Sequence, residues 1–333
     1  MYNHYKYIGS IITSDHKLRS GEGNERQGRQ RFLYILMILA TIFRAAFTFN
    51  TNKGHHVMAN NKQRKIIVSV APVGKNILKP SFNPITPEEV AEEIAACAKA
   101  GASMVHLHVR DRYGSQTADL TDFSSTLDHI RATSDIIIQG STGGLVALSI
   151  EERSTALNDR RVQTASLNMG SVNFGDDVYV NTLPDMRYWA RRMAEERIVP
   201  ELEIFEGGMI PVYKELMAET VLRKPFSFNF CLGVEWGLPA VPNSLFFLTA
   251  LLGEPIPWGV THAGMTDFSL LATAIGLGAA GVRVGFEDSV FYAPGKAART
   301  NAELVKRVVT LVHSLGFDVA TTEEARAILG VLK

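Results

Sequence analysis

The chain has 333 residues, of which 46% are hydrophobic and 20% charged, and this composition is typical of a soluble globular protein with a sizeable core. The formal net charge is zero and no long basic run follows position 60, which argues against a nucleic-acid-binding protein. The two cysteines, Cys97 and Cys231, exclude a disulfide framework and a thiolate metal site, so we expect buried free thiols and a cytoplasmic protein.

The beginning of the chain differs from the rest. Residues 1–31 are polar with a basic cluster, and residues 32–43 form an uncharged apolar run. That run is shorter than the roughly 20 residues of a membrane crossing, so no membrane span is expected. Its length suits the core of a signal peptide, but the long lead-in contains acids, and we favour a translation start at Met58. We therefore predict an N-terminal extension, 1–57, that is disordered or absent from the mature protein, followed by one catalytic domain, 58–333.

From residue 64 onward, segments typical of strands and helices alternate. The first strand, 65–71, is short and rich in β-branched residues, and Thr86-Pro87-Glu88-Glu89 then opens a helix with a capping box. Further strands are predicted at 103–109, 135–140, 163–168, 200–205, 226–232, 257–261 and 281–285. Helices are predicted at 86–100, 121–132, 184–197, 208–221, 266–277 and 300–315.

Eight strands alternating with helices predict an α/β protein with the (β/α)8 TIM-barrel fold. A doubly wound open sheet is the alternative, but the first strand-to-helix connection lacks the G-x-G-x-x-G pattern. In such a barrel, the chemistry lies where the strands end. Polar residues follow six of the predicted strands and are expected to converge there: Asn76, His106, His108, Ser141, Ser166, Asn168, Glu203, Arg283, Glu287 and Asp288.

Two histidines in an apolar run give the strongest single signal. His106 and His108 are two residues apart in Val-His-Leu-His-Val, so on a strand both imidazoles would point the same way. Neutral imidazoles suit zinc, and a third protein ligand with an open position makes a zinc site catalytic. The alternative is two interior histidines, each satisfied by its own neighbours.

The segment Gly-Phe-Glu-Asp after the eighth predicted strand offers the third ligand. Glu287 can complete a site of two histidines and one glutamate, and Asp288 beside it can act as a general base. The alternative is an acidic loop that faces solvent. Arg283 lies within the apolar strand before this segment, where a buried charge needs a partner, and Asp288 is the candidate.

Two further features are consistent with either a functional or a structural role. Residues 139–144, Gln-Gly-Ser-Thr-Gly-Gly, form either a cradle of backbone N–H groups for a phosphate or carboxylate, or a plain turn. Glu203 either orients a metal-bound histidine or a water, or forms a salt bridge with Arg110. The chain contains neither G-x-S-x-G nor H-E-x-x-H, so a serine hydrolase of the nucleophile-elbow type and an H-E-x-x-H zinc enzyme are not favoured.

With these residues identified, about residues 64–331 resemble the β-keto acid cleavage enzymes. The resemblance is carried by His-Leu-His-Val-Arg-Asp (106–111), Gln-Gly-Ser-Thr-Gly-Gly (139–144), Ser-Leu-Asn-Met-Gly-Ser-Val-Asn-Phe-Gly-Asp-Asp (166–177), Pro-Glu-Leu-Glu-Ile-Phe-Glu-Gly-Gly-Met (200–209) and Val-Arg-Val-Gly-Phe-Glu-Asp (282–288). It implies a zinc-dependent (β/α)8 barrel, usually a homotetramer. It also implies that a β-keto acid condenses with the co-substrate acetyl-CoA, which gives acetoacetate and a new acyl-CoA.

The resemblance implies a role for each residue that falls in these motifs. Zinc ligands would be His106, His108 and Glu287. Asp288 would be the base and Arg283 would hold its charge, with Glu203 as a supporting acid. The implied substrate-binding residues are Ser141, Thr142, Gly143, Ser166 and Asn76.

Departures from the family pattern leave the substrate open. Asn76 stands where a member that takes an aminated substrate has a glutamate. His262, after the seventh predicted strand, either touches substrate or packs. A metal-dependent aldolase or hydrolase on the same barrel, and a barrel that binds without turnover, are the alternative functions. Amidohydrolase barrels carry His-x-His on the first strand, whereas here it is on the second.

Overall fold

Eight parallel strands surround a common axis and close on themselves. The structure is a computed structural model that describes residues 64–74, 83–144 and 148–332. The barrel strands are β1 (Lys65–Val70), β2 (Met104–Leu107), β3 (Ile137–Gly140), β4 (Thr164–Asn168), β7 (Val199–Ile204), β8 (Ser227–Phe230), β9 (Trp258–Thr261) and β10 (Gly281–Val284). Each strand pairs with the next along the barrel, and β10 pairs with β1, where Val282 lies opposite Val68. The predicted (β/α)8 TIM barrel is therefore confirmed.

Helices fill the connections between the barrel strands. They are α1 (Pro87–Ala100), α2 (Thr121–Thr133), α3 (Ile150–Arg153), α4 (Leu183–Glu195), α5 (Val212–Ala218), α6 (Pro242–Leu251), α7 (Ser269–Leu277), α8 (Asn301–Ser314) and α9 (Thr322–Leu329). The sequence pattern does not predict α3, α6 or α9. The helix predicted over 208–221 is the shorter α5, because a separate 3-10 turn, Gly207–Met209, precedes it. Among the residues described, we find no helix with both the length and the hydropathy to span a membrane.

The ends of α1 are set by local chemistry that the sequence displays. The Thr86 side chain accepts a hydrogen bond from the Glu89 N–H, and the Glu89 carboxylate accepts one from the Thr86 N–H. Gly101 ends the helix in the left-handed conformation, with φ of 116°. The capping box predicted from four residues is therefore present.

The side chains of the barrel strands alternate between two environments. On β1, Ile66, Val68 and Val70 belong to the large apolar core that includes the helices. Ile67 and Ser69, the alternate residues, line a small cavity of about 30 Å³. Because side chains alternate between the two faces of a strand, the residues that face the barrel interior differ from those that face the helices, and the interior residues include polar ones.

Apolar side chains fill the end of the barrel where the strands begin. The strand β13 (Asp318–Val319) pairs with the start of β1 and leads into α9. Residues from four strand beginnings pack there with residues of α9 and its surroundings; this N-terminal cluster consists of Ile67, Met104, Ile137, Val199, Ala320, Ala325, Leu329 and Val331. The strands are thus closed at one end by hydrophobic packing.

Two hairpins follow strands at the opposite end. The hairpin β5 (Val172–Phe174) and β6 (Asp177–Tyr179) comes after β4, and the hairpin β11 (Phe291–Ala293) and β12 (Lys296–Ala297) comes after β10. The sequence pattern predicts neither hairpin. All described residues belong to one compact unit, Lys62–Lys333, whereas the predicted extension 1–57 and Asn76 lie outside the described residues.

Candidate active site

The two histidines of the apolar run point toward the same carboxylate. β2 is shorter than predicted and ends at Leu107, so His106 is its third residue and His108 follows it directly. Their Nε2 atoms lie 3.6 Å and 3.4 Å, respectively, from Oε1 of Glu287. His108 and Glu287 are 179 positions apart in the chain. They meet because β2 and β10 both flank β1.

A tight turn after β10 brings Glu287 to the histidines. Gly285 has φ of 144°, and a Cβ atom on it would lie 2.1 Å from the carbonyl oxygen of Ala71. Only glycine fits such a close approach to the end of β1. The Glu287 N–H then donates to the same carbonyl oxygen at 3.2 Å, which fixes the glutamate at the strand ends.

Two carboxamides contact the far sides of the imidazole rings. The Nδ1–H of His106 donates to Oε1 of Gln139 at 2.6 Å, which leaves the Nε2 lone pair of His106 available. The Gln116 carboxamide lies on the far side of the His108 ring, with its Nε2 atom 2.9 Å from Nδ1. Burial and the charge of Arg283 lower the pKa of His106 to about 3, so its ring is neutral at physiological pH.

The three side chains fit a zinc ion. Within the described ranges, they form the one group of three His, Cys, Asp or Glu residues whose ligand atoms all lie within 4.8 Å of one another. Two ligands bound tetrahedrally at about 2.0–2.1 Å from zinc are roughly 3.3 Å apart, close to the histidine–glutamate separations. Burial opposes the negative charge of Glu287, but His108, His106 and Arg283 together hold its pKa well below the usual range. Two imidazoles and one carboxylate make a donor set of the type found in catalytic zinc sites.

Arg283 forms the centre of a buried ionic group beside the histidines. Its Nη2 and Nε donate to the two carboxylate oxygens of Asp288 at 2.7 Å and 3.0 Å, the pairing expected from the sequence. It also lies 3.4 Å from Glu203 and 3.5 Å from Glu287. Burial alone would lower the pKa of Arg283, but the surrounding acids raise this pKa well above its usual value. The guanidinium therefore keeps its charge and favours the ionised form of Asp288.

Glu203 pairs with Arg283 rather than with Arg110, so the alternative that the sequence left open is wrong. Arg110 instead donates to the carbonyl oxygen of Gly114 at 2.7 Å. Burial raises the pKa of Glu203 to about 7, although Arg283 opposes this rise. A second interior acid, Glu201, also has a pKa raised by burial. Glu203 can therefore gain or lose a proton near neutral pH.

The loop after β3 borders the histidine pair. An ideal Cβ on Gly143 would lie 3.1 Å from Oγ of Ser141 and 3.4 Å from Cε1 of His108. The Ser141 hydroxyl accepts a hydrogen bond from the Gly143 N–H at 3.0 Å. Thr142 turns the other way, because its hydroxyl donates to the Ser166 carbonyl oxygen and its N–H donates to the Ser166 hydroxyl. Ser141 and Gly143 thus lie near His108, whereas Thr142 and Ser166 tie the loop to β4.

His262 and the two cysteines, which the sequence also singled out, are buried. Nε2 of His262 donates to the carbonyl oxygen of Asp267 at 2.6 Å, and its ring stacks on Phe268 with centroids 4.5 Å apart. His262 therefore packs, which is one of its two predicted roles. Cys97 and Cys231 are buried free thiols, as predicted.

Sequence reasoning missed the residues that support the site from behind. Gln139 directly follows a run of isoleucines in a buried strand, and a buried carboxamide at such a position signals a polar partner. Gln116 gave no such signal, because its place beside His108 depends on the fold of the connecting loop.

The closed barrel and the cluster at its strand ends define a (β/α)8 barrel in which the ligand atoms of two histidines and one glutamate lie close enough together to hold a metal ion. The chain belongs to the β-keto acid cleavage enzyme family, because the profile of that family matches residues 65–331. The chain is 38% identical over 274 residues to a "3-keto-5-aminohexanoate cleavage enzyme" of Fusobacterium nucleatum, which covers 81% of this chain and 99% of that protein.

Other relatives carry different names. The chain is 31% identical to a "3-dehydrocarnitine:acetyl-CoA trimethylamine transferase" of Rhizobium meliloti, over 83% of this chain and 99% of that protein. It is 33% identical to a "3-oxoadipate:acetyl-CoA acetyltransferase" of Cupriavidus necator, over 80% and 94% of the two chains. Among solved structures, apo ObcA superposes with a TM-score of 0.64 at 20% identity over 75% of this chain and 66% of its own, which supports the fold alone.

Proposed function

We propose that this chain is a zinc-dependent β-keto acid cleavage enzyme that uses acetyl-CoA as co-substrate. The reaction converts a β-keto acid and acetyl-CoA into acetoacetate and a new acyl-CoA. The observation that carries the proposal is the convergence of His106, His108 and Glu287 beside the Arg283–Asp288 ion pair, in a chain that belongs to this family.

His106, His108 and Glu287 would hold the metal. Bound Zn²⁺ supplies Lewis-acid polarisation of substrate oxygen atoms, which makes a neighbouring C–H more acidic. Ser141, next to His108, offers a hydroxyl to the substrate, and Gly143 leaves space beside the imidazole. Thr142 and Ser166 contribute by holding this loop in place.

Asp288 is the proposed base. It removes a proton from the carbon between the keto and carboxylate groups, and the resulting carbanion attacks the acetyl carbonyl carbon of acetyl-CoA. The CoA thiolate leaves and then attacks the original keto carbon, and the adjacent carbon–carbon bond breaks to give the new acyl-CoA and the enolate of acetoacetate. The enolate takes the proton back from Asp288 and leaves as acetoacetate. The two hydrogen bonds that Asp288 accepts from Arg283 favour the charged form of its carboxylate, which is the form that takes the proton. Glu203, which also contacts Arg283, is a supporting acid that can exchange a proton near neutral pH.

Two further parts of the proposal concern the protein as a whole. We propose a homotetramer, which the family resemblance implies, and light scattering of the purified protein tests it. We also propose a cytoplasmic location, which is supported by two buried free thiols in the described part of the chain.

The decisive experiment is a panel of β-keto acids that differ in the substituent on the keto carbon. Each is incubated with acetyl-CoA and the zinc-loaded protein, and acetoacetate is measured. We expect acetoacetate from at least one member, with equimolar formation of the matching acyl-CoA. No acetoacetate from any member would contradict the proposal.

The Asp288→Asn variant tests the assigned base in the same assay. We expect it to keep zinc and to lose at least about 100-fold in turnover, the usual contribution of a general base. Asp318→Asn, at an exposed carboxylate near the other end of the barrel, is the matched control with unchanged turnover. Normal turnover of Asp288→Asn would remove this residue from the mechanism.

A further inference from the structure

A buried arginine lies close to the active-site loop without a carboxylate partner. Arg153, the last residue of α3, is only 9% exposed. Its guanidinium donates to the carbonyl oxygens of Thr142 and Val180 at 3.0 Å and 2.9 Å, and to Oδ1 of Asn181 at 2.5 Å. All these acceptors are neutral, and none of the carboxylates within the described ranges forms a salt bridge with it. A buried cation of this kind is usually paired with an anion, so the missing anion points to a ligand.

Arg153 joins three parts of the molecule that surround the mouth of the barrel. Through Thr142 it contacts the loop after β3, and its guanidinium lies over the Trp189 ring of α4 at 4.4 Å from the centroid. It also lies 5.2 Å from the ring centroid of Tyr179, at the end of the β5–β6 hairpin. Its Nη2 donates to the Tyr179 hydroxyl at 3.4 Å. The positive charge is thereby directed toward the phenol.

The Tyr179 hydroxyl lies beside the proposed metal ligands. An ideal Cβ on Gly143 would be 2.7 Å from this hydroxyl and 3.4 Å from Cε1 of His108. The phenol ring packs edge-on against Phe205, the residue after β7. A glycine at position 143 therefore keeps open the space between the phenol and the imidazole.

The phenol is a neutral hydrogen-bond donor. Burial raises the pKa of Tyr179, and the neighbouring Glu203 raises it further, although Arg153 opposes this rise. The Tyr179 hydroxyl oxygen accepts a hydrogen bond from Nη2 of Arg153. Among the residues that the structure covers, no acceptor takes the phenol proton. That O–H is therefore available to a bound molecule at the mouth.

We propose that Arg153 and Tyr179 form an anion-binding pair, in which the Tyr179 O–H donates to a negatively charged oxygen of the reacting molecules and Arg153 supplies the positive charge behind it. This inference rests on the proposed function, which supplies two such oxygens. One is the carboxylate of the β-keto acid. The other is the oxyanion formed when a nucleophile adds to a carbonyl carbon. Both oxygens are stabilised by a hydrogen-bond donor with a cation close behind it. The hydrogen bond to the carboxylate forms when the substrate binds, whereas the hydrogen bond to the oxyanion forms only during the reaction.

The test uses the full-length, zinc-loaded protein and the variant Tyr179→Phe, which removes one hydroxyl and keeps the ring. Tyr188→Phe, on α4, is the matched control. Zinc content, thermal unfolding, the dissociation constant for acetoacetate by calorimetry, and KM and kcat are measured for each. We expect Tyr179→Phe to keep its zinc and its unfolding temperature, and to lose about 10- to 100-fold in acetoacetate affinity or in kcat, as for a lost hydrogen bond to a charged group.

The pattern of losses identifies the oxygen. Weaker acetoacetate binding with a raised KM indicates the carboxylate, whereas unchanged binding with a lowered kcat indicates the oxyanion. If the Arg153→Gln variant folds, the measurement that falls in Tyr179→Phe, either acetoacetate affinity or kcat, should fall by at least as much in Arg153→Gln. If Tyr179→Phe matches Tyr188→Phe within about twofold in binding, KM and kcat, the anion-binding pair is wrong.

The same measurements separate this inference from the proposed function. Acetoacetate binding that depends on Tyr179, in a protein that turns over no β-keto acid, would contradict the proposed reaction and support the pair. Normal turnover without any dependence on Tyr179 would contradict the pair alone.

Discussion

The two ends of the barrel differ in almost every physical respect. Where the strands begin, the N-terminal cluster is apolar and α9 covers it. Where they end, buried imidazoles, acids and one arginine lie within hydrogen-bonding or ion-pairing distance of each other. Burying the second set costs free energy that only mutual pairing offsets, whereas burying the first set stabilises the fold directly. The residues that stabilise the fold and the residues proposed for the reaction therefore lie at opposite ends of the barrel. Mutations where the strands begin should change the free energy of unfolding, whereas mutations where they end should change metal binding and turnover.

The largest effect is expected from removing the carboxylate of the proposed metal site. Glu287→Gln leaves two imidazoles and no carboxylate ligand, so we expect about one zinc per chain in the parent and almost none in the variant. Metal analysis after dialysis measures this. Glu195→Gln, on the exposed side of α4, should keep its zinc. Stoichiometric zinc in Glu287→Gln would mean that the glutamate is not a ligand.

At the opposite end, a core deletion should reduce stability and leave the chemistry intact. Leu329 is buried in the N-terminal cluster, so Leu329→Ala should lower the free energy of unfolding by about 2–5 kcal/mol. Chemical denaturation measures this loss, and kcat at a temperature where the variant is folded should match the parent. Leu332, which is 79% exposed, gives the control Leu332→Ala with almost no change. A stable variant with reduced kcat would contradict the separation of the two ends.

A smaller effect is expected from the carboxamide behind His106. Gln139→Leu removes the acceptor that fixes the protonated nitrogen of His106, and we expect zinc affinity to fall about 10- to 100-fold. Competition with a chromogenic chelator gives the affinity. Gln163 lies next to the start of β4 and contacts Arg131, so Gln163→Leu should leave zinc affinity unchanged. Equal zinc affinities of the two variants would show that the contact with His106 does not matter.

The smallest effect is a difference in pH dependence between the two ends. Glu203 has a pKa of about 7 in the folded protein, against an ordinary value of 4.5, so its contribution to stability is lost as pH rises from about 4.5 to 7. In metal-free protein, Glu203→Gln should therefore gain stability relative to the parent over that range. Denaturation at several pH values measures the trend.

Glu324, in the capping box of α9, provides the opposite sign. Hydrogen bonding to the Thr321 N–H lowers its pKa, so its contribution is present above the unfolded pKa and is lost as pH falls. Glu324→Gln should accordingly differ most from the parent above the ordinary pKa of 4.5. The same trend for both variants would contradict the assigned pKa directions.

Sequence reasoning reached furthest where the evidence was local. The eight strands, the Thr86 capping box and the pairing of Arg283 with Asp288 are all present in the structure, because periodicity, caps and close spacing leave few alternatives. Partners distant along the chain were harder to assign. Glu203 had Arg110 and Arg283 as available cations, and strand order alone decided between them.

The connections between strands account for most of what was missed. The β5–β6 hairpin lacks a strong alternating pattern, so Tyr179 gave no sign that its hydroxyl reaches the surroundings of His108. Arg153 sits in a one-turn helix, and its neutral partners come from separate segments of the chain. Contacts of this kind depend on loop paths, which short-range patterns do not determine.

The sequence by itself determined the barrel, the likeness to the β-keto acid cleavage enzymes, and the set of side chains able to bind a metal, since each is written in short motifs. Only the tertiary structure decided which nitrogen of His106 is free, which cation Glu203 meets, and which hydroxyl faces the histidines. The physical reason is that ligand type follows from residue identity, whereas tautomer, pairing and burial follow from the neighbours that chain closure brings together.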